Sequence, residues 1–245
     1  MLAGDCRTPK RARPFICPNG PNRERNGAFE RREMGHVAAR VRARCLRRPL
    51  PMQTQSEARR SRARVVAVID AGHGGVRNAG SSTPFGARGP RGTAEKDVTL
   101  ALARRVGSHL GGRAVLTRSD DRNLSLSERA GIARRYGAPV FISIHVNHGA
   151  ESRRGAETYL HARAGVPSNT LANSLHKRLM GCGCAERTPL RAELALLAPE
   201  RLPGRTAACL VEVDYLSHPE GERNLQSPRA LDDIAHGTRG EALRR

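Results

Sequence analysis

The sequence predicts an α/β sandwich, a central sheet flanked by helices, and three observations carry that expectation. The runs 65–69, 140–146 and 208–213 are nearly continuous stretches of Val, Ile, Leu and other apolar residues, the pattern of strands buried on both faces. Segments with apolar residues at helical spacing separate these runs, as in Val98, Leu102 and Val106. The residues most able to do chemistry, His73, His145 and Glu212, fall at or just after strand ends, where open α/β sheets gather ligands.

The elements follow in order. A strand over 65–69 leads into a loop, 71–94, rich in Gly, Ser and Pro. Glu95 opens a helix that runs to about Leu110, and 114–117 forms a second strand. Ser125-Leu126-Ser127-Glu128 is a capping box and starts a helix reaching about Tyr136. Strands are expected over 140–146 and 156–160, and Ser168 is expected to cap a helix ending near Met180. Further strands are expected over 192–197 and 208–213. Ser227 and Pro228 suit the Ncap and N1 positions of a last helix ending near Leu243.

The N-terminal part reads differently. Residues 1–63 hold 16 Lys and Arg against 5 Asp and Glu, with no sustained hydrophobic period. Such a segment cannot bury enough apolar area to offset chain entropy. It is expected to be a disordered, Arg-rich extension, with 64–245 as the catalytic domain. The whole chain carries a net charge of +20. A basic arm can bind nucleic acid, anionic lipid or an acidic polymer. However, Arg is frequent throughout and Lys occurs only at Lys10, Lys96 and Lys177, which fits coding bias better than a tuned surface, so no specific nucleic-acid partner is expected.

No apolar stretch is long enough for a transmembrane helix. The first 30 residues show no apolar core of a signal peptide, and Met52 offers an alternative start. The six cysteines (Cys6, Cys17, Cys45, Cys182, Cys184 and Cys209) make no paired Cys-x2-Cys set, which argues against a structural zinc site. Cys209 lies in an apolar run and reads as a small core residue.

Four side chains carry the chemistry. His73, Glu95 and His145 supply two imidazoles and one carboxylate, the ligand set of a catalytic zinc with a position left for water. His73 sits in Gly72-His73-Gly74-Gly75, which lacks the spacing and the Lys-Ser/Thr ending of a phosphate loop. Glu95 at a helix start could simply complement the helix dipole, but beside two histidine motifs it reads as a ligand. His145 ends an apolar strand, where a lone histidine is commonly a satisfied core residue; His148 is the alternative ligand. The remaining histidines, His36, His109, His161, His176, His218 and His236, read as surface or packing residues.

Glu212 is a carboxylate inside an apolar strand, and it must be paired, protonated or near a cation. Strand alternation puts Leu210, Glu212 and Asp214 on one face, so Asp214 is its possible substitute and an arginine its possible structural partner. Asp70 is expected to orient the loop backbone or a ligand histidine. This set suggests metal-assisted amide hydrolysis with Glu212 as the general base.

These residues resemble the zinc-dependent N-acetylmuramoyl-L-alanine amidases, the type 3 cell-wall amidase family. The resemblance rests on 69–75 (Ile-Asp-Ala-Gly-His-Gly-Gly), Glu95-Lys96-Asp97-Val98 and Leu116-Thr117-Arg118. It continues through Leu126-Ser127-Glu128-Arg129, 141–147 (Phe-Ile-Ser-Ile-His-Val-Asn), 155–159 (Gly-Ala-Glu-Thr-Tyr) and Val211-Glu212-Val213. It implies a three-layer sandwich with a mostly parallel mixed sheet of about six strands. It also implies one zinc per chain on His73, Glu95 and His145, with Glu212 as catalytic carboxylate. The implied substrate is peptidoglycan or its muropeptides, cut between the lactyl group of N-acetylmuramic acid and L-alanine.

The chain departs from the family at 76–80 (Val-Arg-Asn-Ala-Gly) and at 214–218 (Asp-Tyr-Leu-Ser-His), both at the rim of the site. The segment from His145 to Glu212 is too short for an extra regulatory helix, so the site is expected to be ungated. The family implies a periplasmic or extracellular location. Without a visible signal peptide, cytoplasmic storage before lysis or an internal start are the alternatives. The rival functions are a zinc peptidase of related fold and a basic nucleic-acid-binding protein without catalysis.

Overall fold

Six strands form one sheet in the order β2-β1-β3-β6-β4-β5. The strands are β1 (Ala67–Ala71), β2 (Ala114–Leu116), β3 (Val140–Asn147), β4 (Glu157–His161), β5 (Leu190–Ala192) and β6 (Ala207–Tyr215). β2, β1, β3 and β6 are mutually parallel; β4 runs antiparallel to β6, and β5 is parallel to β4. This is the mostly parallel mixed sheet the sequence led us to expect. The structure, a computed structural model, describes residues 65–180 and 188–242, and the side chains only up to residue 238. The N-terminal extension, its basic charge, Met52, His36, Leu243 and every cysteine except Cys209 lie outside the described residues.

Five helices accompany the sheet: α1 (Glu95–His109), α2 (Leu126–Tyr136), α3 (Val166–Leu179), α4 (Pro219–Gln226) and α5 (Pro228–Ala242). β1, β3 and β6 alternate their side chains between two apolar layers. Ile69, Ile142, Cys209 and Val211 meet Leu102 and Val106 of α1, Leu171 and Leu175 of α3, and Leu231 and Ile234 of α5. Val68, Phe141 and Leu210 meet Ala130 and Ala133 of α2 and the 3-10 turn Ala195–Leu197. Cys209 is a buried free thiol, and burial pushes its pKa up to about 12, which fits the expected inert core residue.

The capping box is present as read. Ser125 Oγ accepts from the Glu128 N–H at 3.2 Å, and Glu128 Oε2 accepts from the Ser125 N–H at 2.7 Å. Three expectations need correction. The strand expected over 192–197 is short, ends at Ala192 and gives way to the 3-10 turn. Ser168 does not cap α3, which begins at Val166 after Gly165; its hydroxyl accepts from the Ala208 N–H of β6 at 3.0 Å instead. Helix α4 was not anticipated. Its N-cap is His218, whose Nδ1 accepts from the N–H groups of Glu220 and Gly221.

The alternation along β6 also breaks. His145 pairs with Glu212 but Asn147 pairs with Tyr215, so β6 carries one extra residue in this interval. Asp214 therefore does not share the rim with Glu212. Its Oδ1 accepts from the Gly155 and Tyr215 N–H groups, each at 2.8 Å.

Candidate metal centre

The C-terminal ends of β1 and β3 and the first turn of α1 converge on one point. His73 follows β1, His145 lies near the end of β3, and Glu95 is the first residue of α1. Their ligating atoms all lie within 4.8 Å of one another. Glu95 Oε1 stands 3.2 Å from His73 Nε2 and 2.8 Å from His145 Nδ1. The imidazole rings meet edge to face, with centroids 5.0 Å apart.

Each member is fixed from outside. His73 is held at both ring nitrogens, with Nδ1 2.9 Å from the Thr83 carbonyl and Nε2 facing Glu95. Glu95 Oε2 accepts from the Ala87 N–H at 2.7 Å, and Oε1 from the Val146 N–H at 3.1 Å. β1 has already ended beside Val146, so the carboxylate takes the place of a strand partner there. Gly72 and Gly86 leave the room the cluster needs. A Cβ on Gly72 would lie 2.5 Å from the His145 ring, and one on Gly86 2.2 Å from Glu95 Oε2.

Beneath the histidine loop lies a buried ionic lattice. Asp70 accepts from Arg129 at 2.8 Å and from the hydroxyls of Thr117 and Ser143 at 2.6 Å each. Arg129 also donates to the carbonyls of Ala71 and His73, and Arg118 to those of Ala71, Gly72 and Lys96. His73 has φ of 59°, a left-handed conformation uncommon outside glycine, and these carbonyl clamps hold it. Asp70 thus orients the loop, as expected, but through Arg129. The two arginines were visible in the sequence only as parts of motifs; no periodicity marks an arginine that will be buried.

Electrostatically the cluster calls for positive charge. Burial alone would lower the His145 pKa, but the Glu95 carboxylate beside it pushes it up to about 9. Burial likewise opposes ionisation of Glu95, yet the two imidazoles hold its pKa well below the usual carboxylate range. A proton or a cation satisfies this arrangement, and the nitrogen, nitrogen and oxygen donors suit zinc. His148, the alternative ligand, is outside the cluster. Among the described residues no other set of three such groups comes together.

Glu212 stands beside His145 in strand register. Its Oε2 is buried and has no hydrogen-bond partner among the described residues. Burial, with the charges of Glu95 and Glu157, outweighs the attraction of His145 and pushes its pKa up to about 7. Among the described residues no arginine partners this oxygen, so the structural pairing considered from sequence is not seen there.

Residues 67–240 match the family described as N-acetylmuramoyl-L-alanine amidase. The Bacillus subtilis protein YqiI is 32% identical over 178 residues, 69% of this chain and 81% of that protein. The sporulation-specific N-acetylmuramoyl-L-alanine amidase of Bacillus subtilis is 30% identical over 175 residues, 69% of this chain but 63% of that protein, so this chain spans less than two thirds of its length. Among solved structures, the catalytic domain of CwlV, an N-acetylmuramoyl-L-alanine amidase from Bacillus (Paenibacillus) polymyxa, superposes with a TM-score of 0.63 at 32% identity. That match covers 71% of this chain and 94% of the CwlV domain. With the strand order, the His-Glu-His cluster and these matches in agreement, the chain belongs to the N-acetylmuramoyl-L-alanine amidase family.

Proposed function

We propose that this chain hydrolyses the amide between N-acetylmuramic acid and L-alanine in peptidoglycan, with one zinc held by His73, Glu95 and His145 and with Glu212 as general base. The observation that carries the reading is the unpartnered, buried Glu212 Oε2 next to a ligand histidine. When bound, zinc supplies a Lewis acid for the scissile carbonyl and makes water acidic enough to deprotonate near neutral pH.

The chain's own residues do the rest. Thr83 and the Arg129 clamp keep the His73 ring turned inward, and the Ala87 and Val146 N–H groups fix the Glu95 carboxylate. Glu212, with a pKa near neutrality, takes the proton of the attacking water and returns it to the leaving amine nitrogen. Bond formation at the carbonyl carbon and loss of the C–N bond then balance without any other acid. The substrate places the site of action in the periplasm or outside the cell. No described helix is long and apolar enough to cross a membrane.

The test joins metal content to product analysis. Glu212→Gln keeps a full zinc equivalent but loses about 100-fold or more in kcat on purified muropeptides. His73→Ala and His145→Ala lose the zinc itself. Release of a free lactyl-muramic sugar and a peptide beginning with L-alanine supports the assignment. Cleavage further along the peptide would identify a peptidase instead, and normal turnover by Glu212→Gln would exclude it as base.

A further inference from the structure

The row of paired residues across the sheet does not stop at Glu212. His145 pairs with Glu212 on one side, and Glu212 pairs with Glu157 of β4 on the other. Directly opposed residues put their side chains on the same face, about 5 Å apart at Cβ. Two glutamates therefore stand side by side at the rim, in opposite circumstances. Glu212 has a free oxygen; Glu157 is 1% exposed and accepts four hydrogen bonds. Its Oε1 takes Arg153 Nη2 at 2.8 Å and the Tyr215 hydroxyl at 2.5 Å. Its Oε2 takes Asn147 Nδ2 at 3.0 Å and the Tyr159 hydroxyl at 2.7 Å. A carboxylate offers about four lone-pair sites, so Glu157 has none left for a substrate or a proton.

We propose that Glu157 is a positioning residue: one saturated carboxylate that fixes Asn147, Arg153, Tyr159 and Tyr215 as the wall along which the substrate lies beyond Glu212. The proposal rests on Glu212 marking the reacting centre. The four donors come from separate segments, the end of β3, the loop before β4, β4 itself and the end of β6, and Glu157 contacts all of them. Together with His148, Gly149 and Leu190 these residues line a cavity of about 300 Å³. In the paired row Glu212 stands between His145 of the cluster and Glu157 of the cavity lining. A substrate with its amide at the cluster and one arm passing Glu212 meets this wall.

Burial and the adjoining Glu157 charge push both tyrosine pKa values up, so each phenol keeps its proton and spends it on Glu157. The Tyr159 oxygen is then turned into an acceptor suited to a peptide N–H. The Arg153 guanidinium lies over the Tyr215 ring, 5.4 Å from its centroid, and stiffens the same wall.

The zinc-loaded full chain is assayed on a defined muropeptide. Glu157→Gln raises KM about tenfold while kcat stays within about threefold and zinc content is unchanged, because misplaced binding groups weaken binding more than chemistry. Tyr159→Phe, which removes one hydroxyl and leaves no cavity, gives a smaller KM rise. The double variant is no worse than Glu157→Gln alone, since the two act through one contact. A fall in kcat at constant KM overturns the proposal, because Glu157 would then take part in proton transfer. Unchanged kinetics in both variants also overturn it.

If Glu157→Gln fails to fold, Tyr159→Phe decides alone, and an unchanged KM there overturns the assignment. Calorimetric binding of the intact muropeptide to Glu212→Gln separates this proposal from the proposed activity. Binding weakened by added Tyr159→Phe supports the wall even if the wild type proves not to be a muramoyl amidase, and binding unaffected by it overturns the wall whatever the activity.

Discussion

Gly86 shows how closely a single residue is fitted to the cluster. Its φ is +65°, and a Cβ there would lie 2.2 Å from Glu95 Oε2 and 2.7 Å from His73 Cδ2. Gly92, in the same loop, also has a positive φ, +90°, but nothing lies within 4 Å of a Cβ built on it. The pair separates backbone strain from crowding. Gly86→Ala should weaken zinc binding about 10-fold or more, since displacing groups that support metal ligands has effects of that order. Gly92→Ala should cost a comparable backbone strain and leave zinc affinity unchanged, as read by competition with a chelator. The members of the cluster were legible as candidates in the sequence because their residue types are rare in such settings: a histidine among glycines, a histidine closing an apolar strand. Gly86 was not, because nothing in a Gly-rich loop distinguishes the glycine that touches a ligand from the one that faces water. Asp214 was misplaced for a related reason. Alternation extends a strand in step, and only the pairing of β6 with β3 shows where an added residue breaks it.

At the scale of elements, local chemistry was readable and contextual chemistry was not. The Ser125–Glu128 box fixes the start of α2 by bonds within four residues, so the sequence alone locates it. Ser125→Ala should lower stability by about 1 kcal/mol, seen as a shifted urea midpoint, with zinc content unaffected. Helix α4 begins on His218, a residue type outside the usual N-cap set, and its side-chain cap leaves no familiar signature. Farther on, Glu222 of α4 accepts from the Arg91 and Thr93 N–H groups. That contact ties α4 to the loop carrying Gly86. It joins positions more than a hundred residues apart, so no local reading could find it.

Across the molecule, the ionic lattice beneath the site links fold stability to acid. Burial tends to raise the Asp70 pKa, but Arg129 and the hydroxyls of Ser143 and Thr117 outweigh it, holding the value below the ordinary 3.8. A group depressed on folding stabilises fully above its unfolded pKa and loses that contribution as pH falls through the folded one. Melting temperature should therefore hold from neutral pH to about 4 and decline below it. Asp70→Asn should be less stable at pH 7 and show a shallower acid decline, measured by thermal melts at fixed ionic strength. Arg129 stands beside Asp70 with both side chains almost wholly buried, so removing the arginine alone should destabilise the chain by about 3–5 kcal/mol.

The extra residue of β6 has a reach of its own. It acts as a phase shift: positions 212 and 215, which differ by an odd number, end up projecting toward the same rim. Only that offset lets the Tyr215 hydroxyl meet Glu157. A one-residue deletion between 212 and 215 would keep Glu157, Glu212 and Tyr215 themselves, yet rotate the tyrosine into the opposite layer. Length here is as much a determinant of the cleft as residue identity, whereas a comparable deletion in an exposed turn would be absorbed.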